Sequence, residues 1–305
     1  MILTGIFDRE ARFGGFMKNA IFAAMLVVGM TALCGVAQAG DATRPSDDEV
    51  AYFQTKNIFH SGLVGTHTIA LTFDDGPNFN TPGVLDALKA QGVKGTFFIV
   101  GRMARAYPEI LARVAAEGHL LANHSGTHPL LGRHYVNHPE MLLDQIRQVD
   151  VLITPLMAPD SKFYFRAPYG SWRTQHAAVL NADPELKKYV GPIYWDAGGD
   201  ITKSSDGYVL SSADWDCWHR HWDADICAKG YLREIRRHDG GVVLMHCIHT
   251  QSAALVEAVV PPLVEEGYKF VRLDQVPEYK QYETPTPSEP VVASVGGGGS
   301  GTVAR

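Results

Sequence analysis

The chain has 305 residues, 46% of them hydrophobic and 20% charged, with a formal net charge of -6. That fits one sizeable globular domain with short extensions. No basic stripe or long charge run is present, which sets aside nucleic acid and tail-type partners; a polyanion would need a local site.

At the N-terminus, Met17-Lys18-Asn19 gives a short basic start, and Ala20 to Cys34 is mostly apolar. Ala37-Gln38-Ala39 then supplies a small-x-small cleavage signal before Gly40. An apolar run of roughly 15 residues is short for a bilayer span of about 20. Residues 1–39 therefore read as leader and secretory signal peptide, with Met17 a candidate initiator. Leu33 before Cys34 counts against lipidation. The mature chain is expected to be exported, periplasmic or secreted, with no membrane span. Of its three cysteines, Cys217 and Cys227 are expected to close a short disulfide loop, with Cys247 left as a thiol; three unpaired thiols are the alternative.

After a polar extension at 40–65, the central region 66–277 alternates short apolar runs with helix-period segments, as in an α/β protein. Strands are expected at Thr68–Phe73, Gly95–Val100, His119–Asn123, Lys162–Phe165, Gly191–Trp195, Gly241–Met245 and Tyr268–Val271. Helices are expected from Thr81-Pro82 to Gly92, then at Pro108–Glu117, Pro139–Ile153, Ala228–Arg237 and Ser252–Glu266. Residues 196–227 read as an irregular insertion. Residues 278–305, rich in Pro, Thr and Ser and then in Gly, read as a disordered tail, a natural or an added linker.

The polar clusters share one placement. Asp74-Asp75, His124-Ser-Gly-Thr-His128, Arg166-Ala-Pro-Tyr-Gly170 and His246 each follow an expected strand. Repeated strand–helix units favour a parallel sheet or barrel, whose C-terminal strand ends converge on one face. Asp and two His suit a divalent transition metal and leave a position open for water. Two adjacent aspartates at one strand end are able to divide metal binding from base catalysis. Taken singly, Asp-Asp-Gly-Pro is also an ordinary turn, and two histidines four apart are ordinary surface residues.

Thr72-Phe-Asp-Asp-Gly-Pro77, His124-Ser-Gly-Thr-His128, Arg166-Ala-Pro-Tyr-Gly170 and Leu244-Met-His246 together resemble successive motifs of the polysaccharide deacetylase family, the NodB-homology carbohydrate esterases. The resemblance covers roughly Thr66 to Val276 and implies a distorted (β/α) barrel acting on a polysaccharide. It implies that Asp75, His124 and His128 bind a divalent metal, usually zinc. Asp74 would be the general base that activates the attacking water, oriented by Arg166. The Tyr169 backbone N–H would stabilise the oxyanion, Leu244 would wall the acetyl pocket, and His246 would protonate the departing amine. The implied activity is N-deacetylation of an amino-sugar polymer such as peptidoglycan, chitin oligomers or an exopolysaccharide. An O-acetyl esterase and a catalytically silent carbohydrate-binding domain are the alternatives. Oligomeric state is left open.

Two features depart from the family pattern. An aspartate and a tryptophan are expected after the fifth strand, and Trp195-Asp-Ala-Gly-Gly-Asp200 fits loosely, leaving Asp196 and Asp200 as rival partners of His246. Cys247 stands where an aspartate is common. In the insertion, Trp215, Trp218 and Trp222 read either as a substrate rim stapled by Cys217–Cys227 or as packing onto the domain. A second metal site at His219 and His221 is a lesser reading. The remaining histidines, His249 among them, read as structural or surface residues.

Overall fold

A computed structural model describes residues Ser61–Lys280. The readings of residues 1–39 as a signal peptide and of the Gly-rich tail lie outside the described residues. Strand β1 (Thr68–Asp74) is followed by helix α1 (Thr81–Ala90), β2 (Thr96–Ile99), α2 (Gly101–Ala106), α3 (Pro108–Ala116) and β3 (Leu120–Asn123). Next come α4 (Arg133–Asn137), α5 (Pro139–Ile153), β4 (Phe163–Tyr164), α6 (Thr174–Ala182) and β5 (Tyr189–Val190). A hairpin, β6 (Thr202–Lys203) and β7 (Val209–Ser211), leads to α7 (Asp214–His219), α8 (Ala224–His238), β8 (Gly240–His246), α9 (Ser252–Glu265), β9 (Lys269–Phe270) and α10 (Pro277–Lys280).

The α/β class is as anticipated. Strands run in the order β3-β2-β1-β8, all parallel, with β9 beside the first half of β1. Continuous ladders join β3-β2-β1-β8 and β9 alone. The β4–β5 pair forms its own two-stranded sheet, with Asn123 bridging to Phe165 beside β4, and Ala197, seven residues past β5, bridging to Val243 of β8.

Both faces of the sheet are covered, as a parallel sheet requires. On β1, Ile69, Leu71 and Phe73 face the helices, packing in one core with Val84 and Leu88 of α1 and Leu255 and Val259 of α9. Ala70 points the other way, into an inner cluster with Phe98, Ala122, Tyr164 and Val242. The period of two then carries the inner face forward to Thr72 and Asp74 on β1 and to Leu244 and His246 on β8. Asp74 and His246 are register partners on adjacent strands. Strand alternation alone thus sets Asp74 and His246 side by side on the inner face.

The structure departs from the expected elements in four places. α2, α4, α6 and α10 are additional helices, and α10 carries the buried Tyr279 into the start of the segment read as tail. The fifth strand sits at Tyr189–Val190 rather than 191–195, because Pro192 has no N–H for a ladder; Ile193 still donates to the Phe165 carbonyl at 2.8 Å. The insertion 196–227 is ordered as a hairpin and α7. Finally, α8 starts at Ala224, capped by the Asp223 carboxylate, which accepts from the Ile226 N–H at 2.8 Å, so that Cys227 lies inside the helix. Among the described residues no helix is long and apolar enough to cross a membrane.

Candidate active site

The loops after β1, β3 and β4 turn sharply to bring side chains over the inner face. Asp75, Ser125, His128 and Tyr169 all take positive φ without being glycine, at 73°, 70°, 60° and 58°. Such conformations cost energy and cluster at functional sites. The β3 loop is pinned: the Asn123 side chain accepts from the Ser125 N–H at 2.9 Å, and Ser125 Oγ accepts from the His128 N–H at 3.1 Å. Gly126 is required here, since a Cβ would collide with the Gln148 side chain of α5.

One oxygen or nitrogen of each of Asp75, His124 and His128 lies within 4.8 Å of the others, a group able to hold a metal ion. The fit is supported by what the atoms lack. Asp75 Oδ1 is buried without a hydrogen bond of normal geometry, although His128 Nε2 stands at 3.1 Å and His124 Nε2 at 3.5 Å. A buried carboxylate oxygen left so is costly unless a cation meets it. His124 Nδ1 lies 2.8 Å from the Arg166 carbonyl; that bond fixes Nδ1 as the donor and leaves the Nε2 lone pair facing Asp75.

Arg166 is 1% exposed and fully employed. Its Nη1 donates to Asp74 Oδ1 at 2.7 Å and Thr72 Oγ1 at 2.9 Å, while Nε and Nη2 bond the Ile193 and Tyr194 carbonyls. The guanidinium also lies 4.2 Å from the Phe98 ring centroid. A cation buried this deeply is tolerated through its pairing with Asp74.

His246 faces the same cavity, of about 450 Å³, as Asp74, Asp75, His124, His128, Tyr169 and Leu244. Its partner is neither Asp196 nor Asp200. Asp196 accepts from Ser61 Oγ and the Val242 N–H, and Asp200 stands on the cavity wall. Instead Asp214 of α7, fully buried, takes the imidazole Nδ1 at 2.7 Å and the His246 backbone N–H at 2.6 Å. Burial disfavours the imidazolium, but the Asp214 charge and hydrogen bond, joined by Asp75 and Asp74, outweigh it and push His246 up to about 10. Asp214-Trp215 has the aspartate–tryptophan composition expected after the fifth strand but stands beyond the β6–β7 hairpin.

The insertion divides its tryptophans. Trp215 is half exposed at the cavity rim, whereas Trp218 and Trp222 pack against the helix-side core. Cys217 and Cys227 are disulfide-bonded and Cys247 is a buried free thiol. His219 and His221 are exposed and belong to no group of three potential ligands among the described residues. His249, read as structural, lines the cavity beside His246, their ring centroids 6.4 Å apart.

The family model described as Polysaccharide deacetylase matches residues 62–184. A peptidoglycan-N-acetylglucosamine deacetylase of Bacillus cereus is 30% identical over 225 residues, covering 70% of this chain and 69% of its own. The chain belongs to the polysaccharide deacetylase family. The peptidoglycan-N-acetylglucosamine deacetylase PgdA of Listeria monocytogenes is 33% identical over 213 residues, 68% of this chain, and the match spans 38% of that protein's length. A chitooligosaccharide deacetylase of Bradyrhizobium is 39% identical over 137 residues, 45% of this chain and 59% of its own. Among solved structures, the peptidoglycan deacetylase PdaC from Bacillus subtilis superposes with a TM-score of 0.52 at 28% identity, covering 70% of this chain and 91% of that one. A pseudoenzyme from Bacillus anthracis, 23% identical with a TM-score of 0.53 over 70% of this chain and 66% of its own, shares the fold. Activity must therefore be argued from the site.

Proposed function

We propose that this chain is a metal-dependent N-deacetylase of an amino-sugar polymer, with peptidoglycan or chitin-type N-acetylglucosamine units as substrate. The observation that carries the proposal is the meeting, in one cavity, of an Asp75–His124–His128 group with Asp74 on one side and an Asp214-held His246 on the other. The relatives' names point to the same polymers.

Asp75, His124 and His128 would hold the ion, zinc by its usual preference for nitrogen and oxygen donors. When bound, such an ion supplies a water of lowered pKa and a Lewis acid for the amide carbonyl. Asp74, fixed by Arg166, takes the proton of the water whose oxygen forms the new bond to the amide carbon. The Tyr169 backbone N–H meets the developing oxyanion, and Leu244 walls the acetyl methyl. His246 gives its proton to the nitrogen as the C–N bond breaks, leaving acetate and a free amine. Trp215 offers a ring face to a sugar at the rim. A held proton donor favours amides over O-acetyl esters, because an amine leaves only when protonated. The leader-like residues before Gly40 and the Cys217–Cys227 disulfide support an exported site of action.

The test is acetate release from N-acetylated peptidoglycan and chitin oligomers against O-acetylated xylan. Preferential turnover of the N-acetylated polymers is expected. Turnover of xylan alone would make the chain an O-esterase, and polymer binding without turnover on either would make it a silent carbohydrate-binding domain.

A further inference from the structure

One stripe of α8 touches the chain on both sides of the β6–β7 hairpin, at Gly198 before it and at Ser212 and Cys217 after it. Cys227, Gly230, Tyr231 and Glu234 stand at i, i+3, i+4 and i+7, a single helix face. Cys227 is bonded to Cys217 of α7. At Gly230 a Cβ would collide with Ser212 Oγ, so the absence of a side chain lets the strand leading into α7 lie against the helix. Glu234 Oε2 accepts from the Gly198 N–H at 3.1 Å. Gly198 has no room for a Cβ either, being packed on the Leu244 carbonyl and the Tyr231 ring.

Tyr231 is the centre of this stripe. Fully buried, its hydroxyl accepts from the Asp214 N–H at 3.1 Å and donates to the Leu244 carbonyl at 2.9 Å. One oxygen atom therefore ties the residue that holds His246 to the residue that walls the acetyl pocket. These two lie 30 residues apart on different segments. Asp214 opens a helix of only six residues, too short to hold its own orientation.

Resting on the deacetylase reading, we infer that this face of α8 is a positioning device for the proton donor, with Tyr231 as its central positioning residue and the disulfide as a second clamp. The device acts through Asp214. The other ionisable groups around His246 are Asp74 and Asp75 at the end of β1 and His249 in the loop before α9, none of which touches the α8 stripe.

The experiment compares Tyr231→Phe with the parent in the metal-loaded full chain. The His246 imidazole is titrated by NMR, which needs no substrate, and acetate release from a chitin-type oligomer is followed against pH. The variant's imidazole is expected to titrate about one pH unit lower, with the basic limb of kcat moving alongside it. At neutral pH the imidazole stays protonated in both proteins, so the roughly tenfold fall in kcat expected there, with KM within about twofold, reads the lost alignment of His246 rather than its titration. A parent-like imidazole titration and kcat profile would overturn the inference, even with a lowered melting temperature, because the hydroxyl would then be structural only. Should Tyr231→Phe fail to fold, the Cys217→Ser/Cys227→Ser double variant takes the same two readings with the same deciding outcomes. A parent that releases no acetate would sink the deacetylase reading and leave the NMR arm to decide this inference by itself.

Discussion

Arg166 reaches from the end of β4 to Asp74 at the end of β1, its Nη1 donating to Oδ1 at 2.7 Å, while Asp74 Oδ2 lies 3.5 Å from His124 Nε2. One oxygen is clamped and the other is turned toward the proposed metal ligands. The same residue supplies the carbonyl that orients His124. A single strand end thus sets the direction of both the proposed base and one proposed ligand.

Arg166→Met removes the clamp and leaves Asp74 buried without its cation. We expect at least a hundredfold loss of kcat and a destabilisation of about 3 kcal/mol, the usual cost of breaking a buried pair. Steady-state kinetics and urea unfolding check both. Activity within about threefold of the parent would remove Arg166 from the orientation of Asp74.

His124→Ala deletes a nitrogen of the proposed metal group. Metal analysis after dialysis should fall from one equivalent to a small fraction, with acetate release falling in step. Full metal content in the variant would place the ion elsewhere.

Asp214→Asn keeps the shape of the buried side chain but removes the charge that holds the His246 proton. With its value pushed up to about 10, His246 is protonated across neutral pH. Without that charge its value falls, so the protonated fraction declines at lower pH and the basic limb of kcat moves toward acid. The shift should be about two units, which by loss of the proton alone about halves kcat near pH 8 and lowers it roughly tenfold near pH 9. An unmoved limb would mean that another group donates the proton.

His119 gives a stability prediction away from the cavity. Its Nδ1 accepts from the Gly95 N–H at 3.1 Å, and its Nε2 is buried without a partner. Burial, with the Lys94 charge next in size, lowers its value to about 4. The unfolded chain then binds the proton first as pH falls. The stability tied to neutral His119 is fully present above about 6.5 and is lost as pH drops toward 4, amounting to about 3 kcal/mol. Metal-free protein unfolded in urea at several pH values should show this slope, and His119→Gln should flatten it. An equal slope in the variant would assign the acid sensitivity to other groups.

How far the sequence reached follows from where regular structure stops. Asp74, Asp75, His124, Arg166 and His246 were legible because each ends or follows a strand whose apolar alternation is plain, and parallel strand ends meet. Asp214 was not, because 16 residues, 198 to 213, separate it from Ala197, which bridges to β8, and no period runs through them. Helix α6 carries its buried residues His176, Ala177 and Leu180 on no marked apolar stripe, so its sequence gives no helical period. His249 reads as structural in the sequence for a similar reason: it lies in a turn, and only the fold carries it beside His246.

The most direct measurement of the central claim pairs metal content with acetate release in Asp74→Asn. About one equivalent of metal is expected to be retained, with release from N-acetylated polymer at least a hundredfold below the parent. Near-parental release from a metal-loaded Asp74→Asn would contradict the assignment of Asp74 as the base and, with it, the proposed chemistry of this site.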